Sequence, residues 1–72
     1  RRAVVPTPVR SFTTASILVR DALGRERLVV PVPQRHGVQE ITVNTDLPAG
    51  VYPYRLVVDG HTVAVRSMVV VD

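Results

Sequence analysis

Few residues in this 72-residue chain have side chains suited to catalysis or ligand binding, and they are spread thinly. Two histidines, His36 and His61, fall in or beside segments that read as loops. Neither has a second histidine, a cysteine or a carboxylate at ligand spacing on one element, whereas zinc needs three or four converging ligands. No metal is expected. Asp46 and Asp59 are the carboxylates to weigh as a general acid–base pair. Both occupy turn positions, where aspartate commonly accepts a hydrogen bond from its own backbone, and that local role is the simpler reading. Ser11, Ser16 and Ser67 lack the strand–turn–helix frame of a nucleophile elbow. There is no glycine-rich phosphate loop. The expectation is a chain without catalytic residues or cofactor.

The remaining candidates are aromatic and basic. Tyr52 and Tyr54 are two apart and so share one face of a strand. On an exposed face they would stack on sugar rings or bases; on an inner face they are core. Phe12 is the only other aromatic residue, so Tyr52 is expected in the core, while an exposed Tyr54 would keep carbohydrate binding open. Arginine supplies all the positive charge, and the formal net charge is +3. A basic balance invites a nucleic-acid reading. The arginines are scattered, however, and only Arg25 and Arg27, with Glu26 between them, are close neighbours inside the expected fold. A single-strand binder would interleave aromatics with a clustered basic stripe, and that stripe is missing. Solvated arginines are expected and nucleic acid is not. A lesser reading keeps an anionic partner, because arginine pairs well with phosphate and carboxylate.

The elements that must position these residues read as strands. Hydrophobic residues make up 46% of the chain and valine dominates them. Valine is stiff at its first side-chain torsion and fits a pleated surface. Six prolines and four glycines punctuate the chain at strand-length intervals, and no long stretch has helical periodicity. Residues 13–20 alternate, with Ala15, Ile17 and Val19 on one face and Leu18 and Arg20 on the other. A turn at Asp21-Ala22-Leu23-Gly24 leads to a strand over 27–32, which Pro31 and Pro33 mark as an edge. A loop at 34–37 precedes a strand over 38–44, with Ile41 and Val43 inward. After a turn-rich connection, strand 51–58 places Tyr52, Tyr54, Leu56 and Val58 on one face. Asp59-Gly60 is the strongest hairpin signal, and the closing strand runs over 62–71.

These segments predict an all-β protein: a small Ig-like antiparallel β-sandwich of about five to seven strands, with a partly open barrel as the structural alternative. The length allows one domain. Residues 1–12 read as a linker or a short N-terminal edge strand, and residues 13–72 as the domain. A chain this short buries only about 60% of its unfolded surface, and without cysteine no disulfide supports it. No segment reaches the roughly 20 apolar residues of a membrane helix, and no apolar run of signal-peptide length follows the charged start. No membrane insertion is expected. The chain reads as part of a larger protein.

Beyond periodicity, the motifs resemble a family. The segment Ile17-Leu18-Val19-Arg20-Asp21-Ala22-Leu23-Gly24-Arg25 is similar to the strand and turn of type A C-terminal sorting domains of the type IX secretion system, the Por secretion tail family. Asp21, Gly24 and Arg25 match its turn, and Arg20 stands where a tyrosine is usual. Leu47, Gly50 and Tyr52 match a second turn. Arg55-Leu56 and Gly60 match the following arginine-containing strand and its glycine turn. Arg66 and Met68-Val69-Val70 match the closing strand, with Ser67 where a lysine is common. The likeness covers residues 15–72; Pro6-Thr7-Pro8 lies too close to the first clear strand to be the family's opening motif.

The resemblance implies a module that catalyses nothing and serves as an address. It would direct a larger secreted protein of the kind Bacteroidota export, first into the periplasm by a separate signal peptide and then to the cell surface or beyond. Its partners would be the outer-membrane translocon, a shuttle protein and a sortase that removes the domain. The turn at residues 50–52 and the hairpin arm at residues 60–71 would together form the recognised surface, and a closing strand with an open edge could pair with a partner strand. Arg55 and Arg66 would form a small basic patch near the hairpin. The alternative is an Ig-like accessory module of an extracellular protein, for carbohydrate binding or cell attachment. A further alternative is a filament subunit whose arm, residues 1–10, completes a neighbour's sheet and drives oligomerisation.

Overall fold

The computed structural model describes residues 1–7, 13–33 and 39–72. They form six strands: β1 (Arg2–Thr7), β2 (Ala15–Arg20), β3 (Glu26–Pro31), β4 (Gln39–Asn44), β5 (Gly50–Val58) and β6 (His61–Val70). There is no helix among the described residues, and every pairing is antiparallel. The protein is an all-β sandwich-like fold, as its alternation predicts. A four-stranded sheet in the order β3-β2-β5-β6 forms one layer, and β1 paired with β4 forms the other.

Alternation decides which side of each strand is buried. Along β2, Ala15, Ile17 and Val19 point to the core, and Ser16, Leu18 and Arg20 point away. Register carries this across the sheet. Val19 lies opposite Tyr54 and Ile17 opposite Leu56 on β5, and Tyr52 lies opposite Met68 on β6. From the second layer, Ala3 and Val5 of β1 and Val43 of β4 meet these residues. Fully burying a Val or Ile side chain contributes about 1.5–3 kcal/mol, so a short list of β-branched residues holds this core. The β5–β6 hairpin needs two consecutive residues at positive φ. Asp59 (49°) and Gly60 (84°) supply them, as a type I′ turn requires.

Of the segment 1–12, residues 2–7 form a strand, and residues 8–12 lie outside the described residues. Residues 2–7 alternate between exposed and buried, and β1 pairs with β4 from Arg2–Asn44 to Thr7–Gln39. Pro6 is tolerated because β1 has only one full-length partner. Val5 is buried and Val4 half exposed, so this strand is a working half of the second layer. Thr7 is buried too, and its hydroxyl donates to the Gln39 carbonyl at 2.9 Å.

The two layers join at one corner. Arg2 N–H donates to the Val71 carbonyl at 3.0 Å, and Val71 N–H donates to the Arg2 carbonyl at 2.8 Å. Among the described residues, this is the only pairing across the outer edge of β6. As expected from its prolines, β3 is the opposite edge of the four-stranded sheet.

Candidate functional site

The antiparallel registers bring most of the motif residues to one end of the sandwich. β2 ends, β5 begins and β6 ends on the same side. The turn at 21–25, the connection entering β5 and residues 68–70 therefore lie together. Gly60 and its hairpin lie at the other end, next to the start of β2.

The 21–25 turn is built around one carboxylate. Asp21 Oδ1 accepts from the Leu23 and Arg25 backbone N–H groups, both at 2.9 Å. Its Oδ2 accepts from Arg25 Nε at 3.0 Å, and Arg27 Nη1 lies 3.8 Å away. The backbone closes the turn through Asp21 N–H to the Arg25 carbonyl and Gly24 N–H to the Asp21 carbonyl. The Arg25 backbone N–H is the main cause holding the Asp21 pKa below the ordinary aspartate value. Desolvation opposes it, and the Arg25 side chain and the Leu23 N–H add to the lowering. Gly24 sits at φ 80°, where a side chain would be strained even though a Cβ would meet no atom.

The second turn is tied by a tyrosine. Leu47 N–H donates to Thr45 Oγ1 at 3.1 Å, and the Leu47 side chain packs against the core. The Tyr52 hydroxyl donates to the Pro48 carbonyl at 2.7 Å, spanning the turn it follows. Gly50 opens β5 opposite Val70. Arg1 braces the same end: its Nε donates to Asp72 Oδ1 at 2.8 Å and its Nη1 to the Asp46 carbonyl at 3.3 Å. A shallow concavity of about 380 Å³ opens there between Arg27–Leu28 and residues 44–48.

On β6, Met68 and Val70 are buried, whereas Val69 is exposed. Arg66 faces the inner register opposite Tyr54 yet remains exposed. Arg55 lies opposite Val65 on the other face. The expected basic patch of Arg55 and Arg66 is therefore corrected: alternation sends them to opposite sides of the sheet. Both tyrosines face the core, as expected for Tyr52. Tyr54 is core, and Tyr52 is partly buried with its hydroxyl engaged. Tyr54 cannot serve as an exposed stacking platform.

The other candidates stay apart. Asp59 Oδ1 accepts from Thr13 and Thr14 N–H at 2.9 and 2.8 Å, clamping the chain before β2. Asp46 belongs to the opposite end, so the two carboxylates do not form a pair. Ser16 and Ser67 both point outward, and His61 is exposed at the start of β6. Ser11 and His36 lie outside the described residues. Among the described residues, no group of three or more His, Asp or Glu side chains could hold a metal ion, and no helix is long and apolar enough to cross a membrane.

Two surfaces emerge that motif matching did not single out. One is the seam where β1 and β6 diverge from their single bridge, a groove of about 520 Å³ lined by Arg2, Ala3, Val4, Met68 and Val69 among others. The other is the outward face of the four-stranded sheet, with Arg20 and Arg55 among exposed valines. The clue to the second was already in the alternation, which leaves Leu18, Arg55 and Val57 on the face away from the core.

Comparison with known proteins finds no matching family model, no matching curated protein and no matching solved structure.

Proposed function

We propose that this chain is a non-catalytic sorting module that directs a larger exported protein through the outer membrane by the type IX secretion system. Its partners in this reading are the translocon, the shuttle protein and the sortase. The cargo passes through the periplasm and reaches the cell surface or the medium. The observation that carries the proposal is the gathering of the matched residues. Asp21, Gly24 and Arg25, then Leu47, Gly50 and Tyr52, then Met68, Val69 and Val70 come from three separate segments, and the registers place them at one end. Gly60 and Arg66 lie outside that cluster. Gly60 shapes the hairpin, and Arg66 is an exposed cation on the closing strand.

The edge of β6, open among the described residues beyond the Arg2–Val71 bridge, supports the same reading. Ten residues long, this strand lacks proline and lysine, the usual guards of an exposed edge. An extended partner segment could add to it beside the seam. The filament alternative loses its motive because residues 2–7 already complete this chain's own second layer. The carbohydrate alternative loses Tyr54 to the core.

The test is a fusion of residues 1–72 to a periplasmic reporter in a host with a working type IX system. Surface display of the reporter is expected, and it should disappear when the translocon is deleted. A stable, folded fusion that stays in the periplasm would sink the proposal.

A further inference from the structure

The outward face of the four-stranded sheet has an unusual composition for a solvated surface. Val29 of β3, Leu18 of β2, Arg55 of β5 and Val65 of β6 form one continuous cross-strand row. On the same face Pro53 pairs with Ser67 beside this row, and Val51 pairs with Val69 beyond them. Val29, Val51, Val65 and Val69 are each more than half exposed, at 51%, 67%, 67% and 57%. An apolar patch with a few polar groups is the usual mark of an interaction surface.

Two cations sit within this patch. The Nε atoms of Arg20 and Arg55 are buried and have no hydrogen-bond partner. A shallow cavity of about 160 Å³ lies between them, lined by Arg20, Pro53, Tyr54, Arg55 and Val65. Arg20 makes one long hydrogen bond, from Nη1 to the Gly24 carbonyl at 3.5 Å. Nearby carboxylates do not neutralise the pair. Asp21 is engaged by Arg25 and Arg27, and Glu26, opposite Arg20 across the β2–β3 pairing, is exposed and makes no ion pair with it. A buried N–H without an acceptor is costly, and a guanidinium fork matches a carboxylate in particular. A leucine at position 55 would complete the row at no such cost.

We propose that this face docks a protein segment that presents an aspartate or glutamate carboxylate among apolar side chains, with Arg55 as the principal receiving cation and Arg20 beside it. The carboxylate answers the two Nε–H groups that lack an acceptor, and the apolar flanks answer the valines. The proposal does not rest on the secretion reading and holds for any protein partner of this chemistry.

The test is a two-dimensional amide NMR titration of the 72-residue chain with the capped peptide Val-Glu-Val, its Val-Gln-Val counterpart and inorganic phosphate. The glutamate peptide should give saturable shifts centred on Leu18, Arg55 and Val65. The glutamine peptide should bind about tenfold more weakly, in line with the loss of a charge-assisted hydrogen bond. Phosphate should produce no saturable shift at those residues. Arg55→Gln should abolish binding of the glutamate peptide while the remaining spectrum stays folded, and Arg55→Leu should do the same with a melting temperature at or above that of the native chain. Equal binding of the two peptides, shifts confined to the β1–β6 seam, phosphate binding as tight as the peptide, or unaltered binding to Arg55→Gln would each overturn the proposal.

Discussion

Met68→Ala and Val69→Lys alter neighbouring positions of β6 that point to opposite sides of the sheet. Met68 is 2% exposed and lies opposite Tyr52, whereas Val69 is 57% exposed and lies opposite Val51 on the outward face. Truncating a buried methionine to alanine costs about 2–5 kcal/mol, because a cavity replaces the lost contacts. Placing lysine at an exposed strand position away from special features changes stability by about 0.5 kcal/mol or less. A chain of this length is expected to have about 4–11 kcal/mol in total, from roughly 0.05–0.15 kcal/mol per residue. Met68→Ala therefore removes a large share of it, and Val69→Lys almost none.

Deleting residues 67–72 is harsher. It takes away Met68 and Val70, whose burial contributes about 3–6 kcal/mol together, and also the Arg2–Val71 bridge that joins the layers. The truncated module should be unfolded or close to it, so lost export of a truncated parent would report unfolding as readily as lost recognition. Urea denaturation at 25 °C separates the cases, provided the slope with urea is unchanged between variants. Val69→Lys with native stability and lost reporter display would mark the outward side of β6 as recognised. A cost above about 1.5 kcal/mol for Val69→Lys, or below about 1 kcal/mol for Met68→Ala, would refute the register from which this reasoning starts.

Other positions give sharper local tests. Asp21→Asn removes a carboxylate whose pKa is depressed in the fold, chiefly by the Arg25 backbone N–H. A depressed carboxylate stabilises fully above its unfolded value, near 3.9, and loses that contribution as pH falls through the lower folded value. Thermal melts should show a native-minus-variant difference that is flat from about pH 7 to 5 and shrinks below about pH 4. Tyr52→Phe removes the hydroxyl that donates to the Pro48 carbonyl and should cost about 0.5–1 kcal/mol in urea denaturation, with amide shifts confined to residues 45–52. Thr7→Val leaves the Gln39 carbonyl without its buried donor and should cost about 1 kcal/mol, whereas Thr7→Ser keeps the bond.

Strand identity was legible wherever alternation was strict. Residues 13–20 announce β2 because Ala15, Ile17 and Val19 repeat at period two, and the structure shortens the segment only at its start. Asp59-Gly60 fixes the hairpin because few residue pairs accept two positive φ angles in succession. β1 was harder to read. Its inward residues are Ala3, Val5 and Thr7, two of them small or polar, and Pro6 and Pro8 mask the alternation. Only the distant partner β4 reveals which side is buried. The depth of the two tyrosines was hidden for a related reason. Both point inward, but Tyr54 lies mid-strand opposite Val19, while Tyr52 lies at the end, where its hydroxyl reaches the turn. Strand periodicity assigns a face; it does not assign depth along that face.

The unequal layers explain why so much of this small protein faces outward. Neighbouring strands lie about 4.8 Å apart, so a two-stranded layer spans roughly half the width of a four-stranded one. Arg66 shows the shortfall: it occupies an inward register position and is still exposed. The opposite face of the larger sheet has no covering layer among the described residues; its valines remain at the surface, and the Nε–H groups of Arg20 and Arg55 lack acceptors beneath them. A fold optimised for stability alone would not keep Arg55 between Leu18 and Val65, where a leucine packs without an unsatisfied donor. A partner that covers this face would restore what the second layer leaves undone, and by binding only the folded chain it would raise the apparent stability in proportion to its concentration. Melting temperature measured against increasing Val-Glu-Val peptide should therefore rise for the native chain and stay flat for Arg55→Leu. A rise of equal size in both would place the occupant elsewhere on the protein.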